Sequence, residues 1–369
     1  MMSPSLMLHR SLLAFMAGAL LALASTPAPA QPSGARGGNF LYRAMPGDTL
    51  IELAQRFTDN PANWSTLQSL NSVQDPTRLS IGRELKIPFS LIPELPSQAQ
   101  VSHIAGEVDA DGESTGIKAV LAEGDSLRTG PDGFVTLVLA DRSVISVPAG
   151  SSLRIERLRV FKGTGLIDAI FDIRDGSLES SVAPQDTGVG RFEIRTPVSI
   201  TGVRGTRLRV RASADGSQSE VLSGSAQLSA GPDGEAVVRQ DQGAAVDAQG
   251  KLLGVRALLP APRLAPAVRG GQGWTLSFAP VPGAASYLVR VAANQAGTEL
   301  LSSRQFDSPE ISFSAPGPGT YYAVVRAIDS DGVMGKDAVQ PFLGQSLLKT
   351  SDGSGIHSGY GQFVLLTDY

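Results

Sequence analysis

The chain has no cysteine in 369 residues. That excludes disulfides, a thiol nucleophile of the kind cysteine peptidases and L,D-transpeptidases use, and lipid attachment in the bacterial lipoprotein manner. Histidine is nearly as scarce, with three in all. His9 is near the start, and His103 and His357 stand far apart, each beside a serine in stretches that read as flexible. Neither the clustered histidines of a zinc site nor the placed histidine of a serine triad is present. A large helical lobe around one catalytic glutamate is missing too, and Glu113 and Glu179 fall in turn-like surroundings that read as solvated. TGVRGT, at 201–206, lacks the GxxxxGK spacing of a phosphate loop. The expectation is a protein that is not an enzyme, with no catalytic residue, metal or cofactor.

Charge is thin. Thirty-one basic against 35 acidic residues leave −4, which carries no nucleic-acid footprint. Long apolar runs are also few. The clearest is SLLAFMAGALLALAS, Ser11 to Ser25, shorter than the roughly 20 residues a spanning helix needs. His9 and Arg10 precede it, and the small residues Ala28 and Ala30 follow, so residues 1–30 read as a signal peptide cut near Ala30. The mature chain is then expected in the periplasm with no stable membrane span.

What the chain has in plenty is glycine (41) and proline (24), with aromatics at 6%. That mix suits β-rich modules joined by turns, and the length allows two or three domains. QPSGARGGN, at 31–39, reads as a flexible leader. Beyond it, Thr49 and Glu52 fit a capping box, and Leu50, Leu53, Ala54 and Phe57 fall at helical spacing. Asn60 and Pro61 open a second helix with Trp64, Leu67 and Leu70 as its inner stripe, closed by Asn71. Leu85, Ile87 and Pro88 end a strand. The order is strand, helix, helix, strand.

The pieces PGDTL (46–50), LAQRF (53–57), LN (70–71) and IGRELKIP (81–88) together resemble the LysM family, over Phe40 to Pro88. The resemblance implies binding of peptidoglycan or a related N-acetylglucosamine polymer in a shallow groove. Gly47, Asp48, Thr49 and Leu50 would form one side, and Arg78, Leu79, Ser80 and Ile81 the other. Ser80, Ile81 and Arg83 depart from the aromatic, proline and glutamine common there. Leu50, Leu79 and Ile81 have an alternative reading as plain core.

PFSLIPELPSQAQ, at 88–100 with prolines at 88, 93 and 96, reads as a semi-rigid linker, bounded at 90–100 between the modules. From Val101 the period switches to two, with short alternating runs broken by Gly, Asp and Pro. Both faces of Phe134 to Ala140 are apolar, which places that strand inside a sheet stack. In TPVSITGVRGTRLRV, at 196–210, counting by twos from Val198 through Ile200 to Val210 lands on Arg204. AEGDSLRTGPDGFVTLVLADRSVISV, RDGSLES and TP-x5-VRGT resemble the FecR family of periplasmic β-domains, from about Val101 to Ala230. On that resemblance Thr196, Pro197, Gly202, Arg204, Gly205 and Thr206 form a structural signature. Gly202 and Gly205 would take positive φ or tight approach at a bulge that resets the alternation, and Arg204 would tie the bulge. The sheet is expected as a solenoid or distorted barrel. In iron-uptake regulators of that family such a domain follows a cytoplasmic segment and a membrane helix and relays a receptor signal to a sigma factor; no cytoplasmic segment is read here, so the signalling role is not carried over.

GWTLSFAPVPGAASYLVRVA and PGPGTYYAVVRAIDSDGVMGK resemble a fibronectin type III-like sandwich. The expected organisation is a multidomain, mainly β chain: signal peptide 1–30, leader 31–39, βααβ module 40–89, linker 90–100, all-β domain 101–258, sandwich 259–345, tail 346–369. The function expected is anchoring to peptidoglycan through the LysM-like module, with the β-modules as spacer or as contact for an envelope protein. The alternative is an envelope signal-sensing or assembly protein whose main ligand sits on the FecR-like domain.

Overall fold

The computed structural model describes residues 32–181, 190–231, 234–270, 273–315, 317–344 and 346–347, with 350, 356, 359 and 365–366 beyond them. The expected cleavage site, His357 and the Arg204 side chain lie outside the described residues. Among the described residues no helix is long and apolar enough to cross a membrane.

Strands Asn39–Arg43 and Glu84–Pro88 pair antiparallel and enclose α1 (Leu50–Thr58), a 3-10 turn (Pro61–Asn63) and α2 (Trp64–Asn71). Thr49 and Glu52 form both bonds of the capping box, and Asn60 caps the turn with its side chain. Phe40, Tyr42, Leu50, Leu53, Ala54, Phe57, Leu67, Leu85 and Ile87 fill the core. Leu70, expected in the inner stripe, is 42% exposed. Three residues beyond Leu67 it falls some 60° off the stripe in a helix of 3.6 residues per turn. Asn71 turns in instead: its amide donates to the Lys86 carbonyl (2.9 Å) and its carbonyl accepts the Lys86 N–H (2.7 Å), binding helix to strand.

Residues 32–39 of the expected leader, and the expected linker, turn out to be ordered. Pro32–Arg36 turns at Gly37 and pairs with Asn39–Arg43 as a third strand. Glu94–Pro96 pairs with Arg159–Phe161, and Gln98–Ala105 pairs with Phe134–Leu139 and Val120–Ala122. Proline composition suggested a spacer, but proline is tolerated in an edge strand, where its missing N–H faces no partner.

Sixteen strands from Glu94 to Ala257 form one sheet wrapped on a single core that runs from Ala99 to Val246. Among the described residues its end strands, Val120–Ala122 and Leu252–Ala257, do not pair with each other, so the sheet is open. Phe134–Leu139 is flanked by Gln98–Ala105 and Val144–Val147 and is buried almost throughout. A hairpin of this sheet reaches into the small module: Phe161 and Leu166 belong to the module's core, and the Phe161 ring lies 4.4 Å from that of Phe89. The βααβ unit is therefore fused to the sheet through shared apolar packing.

The C-terminal part is a two-sheet sandwich. Val268–Gly270, Gly273–Ser277 and Glu310–Phe313 make one sheet; Leu300–Phe306, Ser286–Ala292, Gly319–Ile328 and Ala338–Gly344 make the other. Leu276, Phe278, Val281, Tyr287, Val289, Val325 and Ala327 lie between them as the alternation requires. The opposite face of the second sheet is buried as well, with Arg290 and Arg326 fully covered, because it packs on the large sheet.

Candidate functional site

Two loops of the small module run side by side. Ala44 N–H donates to the Arg83 carbonyl (2.9 Å), Gly82 N–H to the Ala44 carbonyl (2.8 Å), and Leu50 N–H to the Pro76 carbonyl (2.9 Å). Gly47 (φ +89°) and Gly82 (φ +78°) occupy the left-handed region, with open space where a side chain would stand. These glycines let the chain turn sharply and leave backbone accessible between the loops.

Asp48 is the knot of the first loop. Its carboxylate accepts from the Tyr42 hydroxyl (2.6 Å), the Met45 N–H (2.7 Å) and Arg56 (3.2 Å). Burial and then the bond to Asp48 push the Tyr42 hydroxyl up to about 12, so it stays a donor. In the second loop Asp75 accepts from the Thr77 N–H (2.9 Å) and hydroxyl (2.6 Å), and that hydroxyl bond chiefly holds its carboxyl below the usual range. Both loops are thus fixed by their own side chains.

The eight residues expected to bind divide by role. Leu50 is fully buried core, Asp48 is buried in its knot, and Thr49 is engaged as the helix cap. Leu79 is half-buried against the core. Gly47, Arg78, Ser80 and Ile81 are exposed, Ile81 at 72%. Met45 (41%) and Ile51 (51%) are exposed apolar neighbours that sequence reasoning missed. Met45 and Ile81 are the chain neighbours of the hydrogen-bonded Ala44 and Gly82. Ile51 was detectable, because it is out of step with the buried stripe of α1.

In the large sheet the signature segment is one strand, Ser199–Ser213, with register shifts between Arg204 and Leu208. Gly205 has φ +55°, as a bulge requires. The alternation resets across it: Thr201 and Val203 are buried before the bulge, and Leu208, Val210 and Ala212 after it, while Ile200 is 43% exposed. Thr196 closes the preceding turn by accepting the Ser199 N–H (3.0 Å), and Thr206 donates to the Ser225 carbonyl (3.0 Å). Gly202 departs from expectation. Its φ is not positive, and an added Cβ would meet only the Gln227 carbonyl at 4.0 Å. Its missing side chain instead leaves a depression of about 410 Å3 lined by Arg191, Glu193, Gly202, Gln227 and Val237.

Two further expectations are corrected. Glu179 is not solvated: Arg290 (2.8 Å) and Arg326 (2.7 Å) donate to it from the sandwich. Burial alone would raise its carboxyl, but the charges of Arg326 and Arg209 outweigh that and hold it below the usual range. His103 lies in strand Gln98–Ala105, and its Nε2 meets the Leu300 carbonyl at 2.8 Å. Among the described residues no group of histidines and carboxylates is placed to hold a metal ion.

Fold and site together define a mainly β multidomain protein with a small βααβ module that presents two ordered loops beside a large curled sheet. Residues 42–88 match the LysM domain family and residues 125–227 the FecR protein family, so the chain carries a LysM domain and a FecR domain. These are families of non-catalytic binding and signalling domains. No curated protein matches the chain. Among solved structures it is similar to a proposed anti-sigma factor from Parabacteroides distasonis, at 16% identity over 36% of this chain and 59% of that one, TM-score 0.30. It is also similar to the extracellular domain of a proposed one-component system from B. thetaiotaomicron, at 7% identity over 72% and 59%, TM-score 0.18. The chain spans 59% of the length of each.

Proposed function

We propose that the chain is an exported, non-enzymatic envelope protein, cut near Ala30 and periplasmic, that binds peptidoglycan through the cleft between its two LysM loops. The observation that carries this is the exposed set Met45, Gly47, Ser80 and Ile81 around two glycine turns held rigid by Asp48 and Asp75. Backbone groups and the Ser80 hydroxyl suit the acetamido amide of N-acetylglucosamine, and Ile81 and Met45 suit its methyl. Leu50, Asp48 and Thr49 shape the cleft from behind. The FecR domain (101–258, with the ordered stretch from Glu94) and the sandwich (259–345, fibronectin type III-like) are the interaction or spacer part.

The test is co-sedimentation of the mature chain with purified peptidoglycan. A single shallow cleft should bind weakly, with Kd near ~1 mM, or about −4 kcal/mol, raised by avidity along the polymer. Ile81→Asp should abolish sedimentation without changing the melting temperature. Undiminished sedimentation of Ile81→Asp would contradict the assignment.

A second function is favoured by the depression at Gly202, where no backbone requirement explains the glycine. There the FecR domain would hold the main ligand, an envelope partner, in sensing or assembly. Gly202→Phe would fill that depression and leave peptidoglycan sedimentation intact. Loss of an envelope partner from this variant in pull-downs, with the wall still bound, would favour the second function.

A further inference from the structure

Part of the outer face of the large sheet is covered by the sandwich, through small apolar patches (Phe134 with Ala292 and Leu300; Ala245 and Leu258 with Val333) and through an ionic cluster. In register, Glu179 pairs with Arg209 and Arg209 with Glu220, so three strands place the three in one row. The next strand brings Gly243 opposite Glu220. A Cβ there would lie 2.5 Å from Val333 Cγ1, so the missing side chain admits the sandwich loop. The sandwich adds Arg290, Arg326 and Asp337. Arg326 donates to Glu179 (2.7 Å) and Asp337 (2.8 Å), Arg290 to Glu179 (2.8 Å), and Arg209 to Asp337 and the Gly335 carbonyl (2.8 Å).

Glu220 is 1% exposed and stands apart from this pairing. Its partner is the Met334 N–H of the sandwich, at 2.9 Å. The charged groups facing it are Arg209 and Arg211 from Ser199–Ser213 and Arg326 from Gly319–Ile328, with Asp337, Glu179 and Arg290 further along the cluster. The strand on its other side offers Gly243 and Ala245, with Asp247 at its far end and Asp241, just before it, paired with Lys336; beyond Gly243 the next strand places Arg256 in the same row, held by Asp329 and Asp331 of the sandwich. Three arginines against Glu179 and Asp337 leave room for one more negative charge. Among the described hydrogen bonds, however, no guanidinium reaches Glu220, so desolvation outweighs the attraction. Burial pushes the Glu220 carboxyl up to about 7, against the pull of Arg209.

We propose that the covered sheet face is a proton-responsive clamp: the sandwich closes on the FecR sheet while Glu220 is protonated and loosens when Glu220 ionises. The sign follows from linkage. A carboxyl that binds its proton more tightly in the closed state favours closure at low pH, and that advantage is lost as pH rises from the free carboxyl's range through about 7. The closing equilibrium falls by up to about 300-fold across that span. The clamp would let ambient pH set the angle between a wall-bound module and the C-terminal part.

The cysteine-free chain makes the test direct. A single Val333→Cys reports opening through its reaction with a soluble disulfide reagent, and exposed Ser302→Cys supplies the control at each pH. The protection of Val333→Cys relative to the control should fall steeply between pH 4.5 and 8, and should stay level when Glu220→Gln is added. Protection that is level with Glu220 present, or that falls equally in the Glu220→Gln chain, would overturn the clamp. If Glu220→Gln does not fold, a carbon-13 carboxyl titration of the full chain decides. A Glu220 midpoint near 7 supports the clamp and one near 4.5 overturns it.

Discussion

At the scale of single residues, stability and recognition separate within the LysM domain. Asp48 accepts three bonds, including one from a buried tyrosine, so Asp48→Ala should destabilise the chain by about 2–4 kcal/mol and loosen the cleft indirectly. Thr49→Ala loses only a cap and should lose about 1 kcal/mol. Ile81→Ala touches no packing, so its melting curve should match that of the parent while glycan affinity falls. Chemical denaturation read alongside glycan titration checks all three; a large stability loss at Ile81 would place it in the core after all. The residues of this domain were largely legible because capping and helical periodicity are local. Their roles were less legible. Leu50 and Ile81 are both apolar residues beside a turn, and only the tertiary placement shows one as core and the other as surface.

The buried ions follow a different rule. Arg326 holds Glu179 and Asp337 together with no exposure to solvent, so Arg326→Met should lose about 3–5 kcal/mol by taking a shared cation from two covered carboxylates, leaving Glu179 to Arg290 and Asp337 to Arg209. Nothing in the sequence marked Glu179, Arg209, Arg290 or Arg326 as partners. Arg290 and Arg326 lie 111 and 147 residues beyond Glu179, where the sandwich meets the sheet, and the alternation of each strand labels all four as solvent-facing. The labelling is right for an isolated sheet and fails because another domain covers it. Glu179, held low, adds stability that is lost as pH falls through its depressed value. Glu220, held high, adds stability that is lost as pH rises towards about 7. Glu220→Gln should therefore remove about 2.5 kcal/mol of stability difference between pH 5 and pH 8, measured by denaturant titration at the two values.

At the scale of elements, the bulge in Ser199–Ser213 explains why a cation can follow an apolar alternation. The core parity changes from odd to even across Gly205, so a count of twos through the bulge describes no real face. Gly205→Ala should lose about 1–2 kcal/mol, because an L-residue is strained at φ +55°. Gly202→Ala should lose less than about 0.5 kcal/mol, since its Cβ has room. Equal losses at both glycines would mean that the two do the same structural work. The leader and the linker were misread because composition reports average flexibility, whereas a strand edge with free N–H and C=O groups will pair even a Pro- and Gly-rich segment.

At the scale of the whole molecule, the domains are not beads on a string. Phe161 and Leu166 complete the LysM core, and the ionic face holds the sandwich on the same sheet. Leu166→Ala, far from the LysM domain in sequence, should lower LysM stability by about 2–4 kcal/mol, visible as weaker amide protection in α1. The proposed glycan cleft is accordingly tested in the full-length chain rather than in residues 40–88 alone. The most direct measurement is an amide chemical-shift titration of that chain with a chitin oligosaccharide. Glycan binding at the proposed cleft predicts saturable shifts confined to the two loops, centred on Gly47, Ser80, Ile81 and Gly82, and absent in Ile81→Asp. Saturable shifts centred instead on the strands around Gly202, or no shift in the two loops at oligosaccharide concentrations well above ~1 mM, would contradict it.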